Sequence, residues 1–265
     1  MTRRISLQAN LFMVLAIFAS VCLFVNTAFA ERIGLKIQAT KVIDMTHPMY
    51  EGMPFWPGGD PFKMERRADY DKGYQLHKFD MGENTGTHVD APSHFIKGNQ
   101  TIDKIPLNRL IARVVMINVQ EKVKFDPDYE LSAGDIRKWE IRYGKIKKGS
   151  LVIMNTGWHK KFSNPSDYIN MDKNKVMHFP GYSPSAAKLL VNRDVAGIGI
   201  DTLSLDNGPS KDFKTHVIML KANKYQIENM NNLDAIPPAG AVAIIGVLPV
   251  KGGSQAQARI FALLP

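Results

Sequence analysis

Cysteine is almost absent from this chain: its 265 residues contain one, Cys22. A single cysteine excludes an intramolecular disulfide framework and any zinc module built on cysteine ligands, so a transition-metal site here has to use His, Asp and Glu. Other absences narrow the field further. No glycine-rich loop of the dinucleotide or Walker type is present, which leaves nucleotide cofactors without support. No period of 20 to 50 residues recurs, so solenoids and propellers are excluded. The 34 Lys+Arg outnumber the 25 Asp+Glu, yet no basic stripe interleaved with stacking aromatics accompanies them, and nucleic acid is not an expected partner. The densest basic run, Arg142 to Lys148, reads as a solvated loop. With 45% of residues apolar and 22% charged, the chain is globular rather than disordered.

What is present begins with a leader. Arg3 and Arg4 precede an apolar stretch from Leu11 to Phe24, and Ala28-Phe29-Ala30 supplies the small residues read by a signal peptidase. Residues 1–30 are therefore expected to be a cleaved signal peptide, which places the protein in the periplasm or outside the cell. An uncleaved anchor is the competing reading, but about 20 apolar residues are needed to cross a bilayer, and Asn26 interrupts the run. A lipoprotein reading through Cys22 has Val21 where a small residue belongs. Thr2-Arg3-Arg4 with Leu7 hints at twin-arginine export and Ser6 argues against it, so the route stays open between the two. Removing 30 residues from 265 leaves 235, lowers the net charge from +9 to +7 and takes away the cysteine. No membrane association is expected after cleavage.

Residues 31–265 show no linker-like shift in composition and read as one domain. Short apolar or alternating runs predict strands at 41–45, 75–81, 112–119, 151–155, 196–201, 241–248 and 259–263. Ser132 predicts a helix start running through Trp139, Ser183-Pro184 predicts a helix from Ser185 to Asn192, and a shorter helix is expected over 216–222. The order implies a compact mixed α/β domain with a β-rich core.

The chemically informative stretch is Gly82 to Phe95, Gly-Glu-Asn-Thr-Gly-Thr-His-Val-Asp-Ala-Pro-Ser-His-Phe. It follows the strand at 75–81 and is expected to leave the sheet edge as a loop. His88 and Asp90 are two apart, which in extended backbone points both to one face. Gly86 permits a tight turn before them, and Pro92 stiffens the path to His94. The same residues also fit a surface turn held by hydrogen bonds, and spacing alone leaves both readings standing. His47, His77, His159 and His178 have no ligand-like partner at suggestive spacing and read as structural or surface residues. Tyr50 and Phe55 read as packing.

These residues resemble the signature of the cyclase family of metal-dependent hydrolases, His-x-Gly-Thr-His-x-Asp-x-Pro-x-His, which residues 84 to 94 match at every position except the first, where Asn84 stands. Asp44-Met45-Thr46-His47-Pro48 with Met53 to Gly58 resembles the family's opening, and Gly197 to Thr202 its central strand. His216, followed by Glu228-Asn229, Asn232-Leu233 and Pro237, resembles its second ligand segment. The resemblance implies a compact β/β/α (swivelling) fold that assembles as a homodimer or homotetramer. It implies one or two divalent ions, Zn2+ or Mn2+, held by His88, Asp90, His216 and Glu228. It further implies His94 as general acid and base and Trp56 as a substrate-holding aromatic. The implied activity is hydrolysis of a small cyclic or N-acyl amide, at a carbon–nitrogen bond other than a peptide bond, by metal-activated water. Asn84 is the departure: an amide oxygen is a weaker zinc ligand than imidazole. A one-metal site, a weakened two-metal site and an inactive relative all follow from it. The alternative class is thus a non-catalytic exported ligand- or metal-binding protein on the same fold.

Overall fold

Short β-branched runs punctuated by glycine and proline build a closed sheet. The structure, a computed structural model, describes residues 39–265, so the leader expected at residues 1–30 lies outside the described residues. The strands are β1 (Lys41–Asp44), β2 (Lys63–Ala68), β3 (Leu76–Asp80), β4 (His88–Asp90), β5 (Ile111–Asn118), β6 (Glu130–Leu131), β7 (Leu151–Asn155), β8 (Gly181–Tyr182), β9 (Gly197–Ile200), β10 (Tyr225–Glu228), β11 (Val242–Val247) and β12 (Gln255–Leu264). The main sheet runs β1-β12-β11-β5-β7-β9-β10-β4, and β4 pairs back onto β12. Seven strands therefore close on themselves as a barrel, which removes the open edges a flat sheet would present. The long β12 allows this: Gln255 to Gln257 pair with β4, Phe261 to Leu264 pair with β1, and β11 lies along its other side.

Neighbours β5, β7, β9 and β10 are parallel, and parallel neighbours need crossover connections. Helices Ala133–Tyr143, Pro184–Asn192 and Lys214–Lys221 lie in those connections. Alternation along the strands divides the apolar residues between two cores. Val114, Met116, Leu151, Ile153 and Ile227 pack with the alanines of β12, whereas Val115, Ile117, Val152, Met154 and Ile198 pack with helix residues such as Ile136, Leu190 and Met219. On β9, Gly197 and Gly199 alternate with isoleucines because one side of the strand has no room. An added Cβ would lie 2.5 Å from the Tyr225 ring at Gly197 and 2.6 Å from Met230 Sδ at Gly199.

The helix signals hold. Ser132 and Asp135 exchange hydrogen bonds as a capping box, and Ser183 accepts from Ala186 N with Pro184 in the first turn. The first helix continues past Trp139 to Tyr143; Ile141, 87% exposed, breaks the apolar stripe there, so periodicity stops before the helix does. The strand expectations need correction. His88–Asp90 is not a loop beyond a sheet edge but β4, a wall of the barrel, while among the described residues the preceding β3 pairs only with β2. β2 and β10 were unforeseen because their polar residues mask the strand pattern, and β12 begins at Gln255 rather than 259 for the same reason. Residues 39–265 belong to one compact unit, a mixed α/β fold with a β-rich core. Among the described residues no helix is long and apolar enough to cross a membrane.

Candidate metal centre

In antiparallel strands, residues directly opposite share a face. His88 lies opposite Glu228 on β10 and Gln257 on β12, and Asp90 lies opposite Gln226 and Gln255. Two short rows of polar side chains therefore stand on one face of the barrel wall, all buried or half-buried. Helix Lys214–Lys221 packs on β10 and adds His216 to them.

The result is a four-sided arrangement. His88 Nε2 is 3.2 Å from Asp90 Oδ1 and 3.3 Å from Glu228 Oε2. His216 Nε2 is 3.2 Å from Glu228 Oε1 and 3.6 Å from Asp90 Oδ2. Each carboxylate thus offers one oxygen to each imidazole. One ligand atom from each of His88, Asp90 and Glu228 falls within 4.8 Å of the others. Both imidazoles are oriented through their other nitrogen: His88 Nδ1 donates to Gly86 O at 2.8 Å, and His216 Nδ1 to Asp206 Oδ2 at 2.7 Å. That leaves each Nε2 free to act as a ligand, the arrangement metal-binding histidines use. Gly86 reaches the turn before β4 at φ +75°.

The electrostatics ask for a cation. Burial alone would lower the His88 pKa, but its hydrogen bonds to Asp90 and Glu228 outweigh burial and push it up to about 10. Burial also works against a charged His216, and Asp206, Asp90 and Glu228 hold it well above its ordinary value. Asp90, which burial alone would raise, is held well below the usual carboxylate range by the imidazoles of His216 and His88. Two buried carboxylates therefore stabilise positive charge between them, and Asp90 Oδ2 accepts no hydrogen bond. Nitrogen and oxygen donors of this kind suit Zn2+ or Mn2+, so the residues fit the group.

Above the cluster lies a cavity of about 200 Å³. Its floor is His216, Glu228 and Gln255, its polar rim His94, Asn84 and Ser204, and its walls Trp56, Phe95, Phe213 and Leu203. His94 ends the short 3₁₀ turn Pro92–His94, its ring centroid 6.2 Å from that of His216. Burial is the largest influence on it and, with the charge of His216 and His88 against that of Asp90 and Glu228, its pKa is lowered from 6.5. All seven residues read from the sequence meet here: His88, Asp90, His216 and Glu228 in the cluster, His94, Trp56 and Asn84 around it.

Several residues of the site were not read. Gln255 Nε2 donates to Asp90 Oδ1 at 2.7 Å, and Gln257 donates to the carbonyls of Gly82, Glu83 and Thr85, pinning the loop before β4. The Gln-Ala-Gln alternation was their only signal. Asp206 carries none, since its role depends on a fold that brings it to His216. Ser204 Oγ is buried without a hydrogen-bond partner. The remaining histidines stay outside the cluster: His159 bonds Asp201 at 2.8 Å, His178 bonds Asp128 at 2.7 Å, and His47 stacks on Phe162 at 3.6 Å.

The class that this barrel and cluster define is matched by a family model described as "Putative cyclase", which covers residues 43–207. The chain belongs to the cyclase family. Among its relatives, isatin hydrolase of Roseibium aggregatum is 29% identical over 241 residues, 86% of this chain and 91% of the relative. Kynurenine formamidase of Geobacillus thermodenitrificans is 27% identical over 221 residues, 82% of this chain and 94% of the relative. The solved structure of isatin hydrolase A from Ralstonia solanacearum superposes with a TM-score of 0.80 at 31% identity, over 85% of this chain and 92% of that one.

Proposed function

We propose that this protein is a metal-dependent hydrolase of a small cyclic or N-acyl amide, related in chemistry to isatin hydrolase and kynurenine formamidase. The observation that carries the reading is the four-sided set of His88, His216, Asp90 and Glu228 at the foot of an aromatic cavity, with His94 over it. Those four residues would hold Zn2+ or Mn2+, as one ion or two, with the Gln255 amide beside them and Asn84 at the rim. A bound divalent ion lowers the pKa of water from about 15.7 towards about 7 and polarises a carbonyl oxygen. His94, its pKa lowered from 6.5, is neutral at pH 7 and positioned to accept the attacking water's proton and return it to the leaving nitrogen. Trp56 and its aromatic neighbours exclude water and hold an apolar group. At about 200 Å³ the cavity is smaller than the roughly 300–1,000 Å³ of drug-sized sites, which fits a substrate of one or two rings.

The non-catalytic alternative rested on Asn84. The relatives matched over more than four-fifths of this chain are hydrolases, which speaks for the catalytic reading. We further propose that residues 1–30 are cleaved and the protein exported. Export sits poorly with a kynurenine formamidase working on an intracellular substrate and favours another amide or lactam. Assembly as a homodimer or homotetramer is proposed from the family likeness. The direct test is metal content together with hydrolysis of formanilides, isatin and lactones by the purified chain. At least one ion per chain and turnover of a carbon–nitrogen substrate are expected; bound metal without turnover on any of them would return the reading to a binding protein.

A further inference from the structure

Phe213 breaks two local rules at once. It adopts φ +46°, ψ +45°, the left-handed region in which a bulky side chain is an outlier and glycine or asparagine the usual occupant. It also precedes the first turn of helix Lys214–Lys221, where Ser, Thr, Asp or Asn would accept a hydrogen bond from the turn, and its side chain makes none. Asp206 supplies the cap from outside the helix, accepting from Thr215 N at 2.8 Å and His216 N at 3.1 Å. Local structure alone would place asparagine at 213.

What phenylalanine secures is a ring over the site. Its centroid lies 6.2 Å from Trp56, 5.6 Å from Phe95 and 5.7 Å from His216, the last edge to face. The three aromatic rings wall the cavity whose floor is the cluster. Backbone strain that persists where a side chain lines a site marks a conformation held for function.

We propose that Phe213 is a specificity-determining residue: its strained backbone holds its ring against Trp56 and Phe95 so that the cavity favours a planar aryl group over an alkyl group. This deepens the hydrolase reading and rests on it for the reaction, but the slot itself is read by binding. Benzoate and acetate carry the same carboxylate for the centre and differ in the aryl group, so calorimetric titration of the manganese-loaded chain with each isolates the slot. The wild type should bind benzoate more tightly than acetate, and that preference should fall about tenfold in Phe213→Asn and Phe213→Leu and survive in Phe213→Tyr. Phe213→Asn should also melt about 2–4 °C higher, because asparagine tolerates the left-handed backbone that strains phenylalanine. A lost preference with a raised melting temperature is not a symptom of a damaged fold. A wild type without preference, or a preference unchanged in both the asparagine and leucine variants, overturns the proposal. Turnover of N-formylaniline is scored separately: its absence with the binding pattern intact removes the hydrolase reading and leaves the slot standing, whereas turnover with a flat preference removes only the slot.

Discussion

At the scale of single residues, each candidate ligand is set by a second contact. His216 is the clearest case, since Asp206 fixes its ring through Nδ1 and its helix through two backbone amides. Asp206→Asn should weaken metal binding by about 10–100-fold, measured by competition with a chelating dye. His94 is argued to act on the proton rather than the ion. His94→Ala should lower turnover by about 10²–10⁴-fold while metal content is unchanged. Because burial lowers its pKa from 6.5, kcat/KM should stay flat through pH 7 and fall only as pH drops below that ordinary value. His47 gives a prediction of the opposite kind, about stability. Burial, then the charge of His159, lowers its pKa to about 3, so the folded state prefers it neutral. Its contribution is present above pH 6.5 and is lost as pH falls from there towards 3. Replacing it by leucine should flatten that part of a denaturation-against-pH curve by up to about 1.4 kcal/mol per pH unit. The candidate ligands could be singled out because their types and spacing carry chemistry. Asp206 and Phe213 were not, because one is recruited by tertiary structure and the other contradicts the local rule that would have marked it.

At the scale of elements, the decisive piece is the wall formed by β10, β4 and β12. The three-residue β4 is too short to show a period, and its neighbours place Glu, Gln and His where a strand search expects apolar residues. Strands whose apolar residues dominate, such as β7 and β9, were read to within about a residue, whereas β10 and the start of β12 were hidden by the polar row that makes them functional. The same wall explains the loop before β4. Gln257 is the residue that ties down three of its carbonyls, so Gln257→Ala should loosen residues 82–85 and show as faster amide hydrogen exchange there. β9 offers a packing test. A methyl group at Gly197 meets the Tyr225 ring and carbonyl at 2.5 Å, so Gly197→Ala should destabilise the fold by about 1–3 kcal/mol in urea titration.

At the scale of the whole molecule, barrel closure carries the candidate metal centre on rigid strands, with one candidate ligand supplied by a helix packed against them. The opening scarcity of cysteine takes its meaning at this scale, because the site is assembled from nitrogen and oxygen donors alone. The mixed α/β class and the single domain were readable from the order of elements; the closure was not, since it depends on β4 and β12 meeting although Asp90 and Gln255 are 165 positions apart in the chain. The proposed cleavage of residues 1–30 belongs here as well, and it predicts that N-terminal sequencing of exported protein begins at Glu31. The central claim is that the cluster of His88, Asp90, His216 and Glu228 works through a bound divalent ion. Its most direct test is the rate of N-formylaniline hydrolysis before exhaustive chelation, after it, and after return of Mn2+ or Zn2+. Loss of activity on chelation and recovery on return of the ion is the predicted result, and activity that survives complete removal of metal would contradict it.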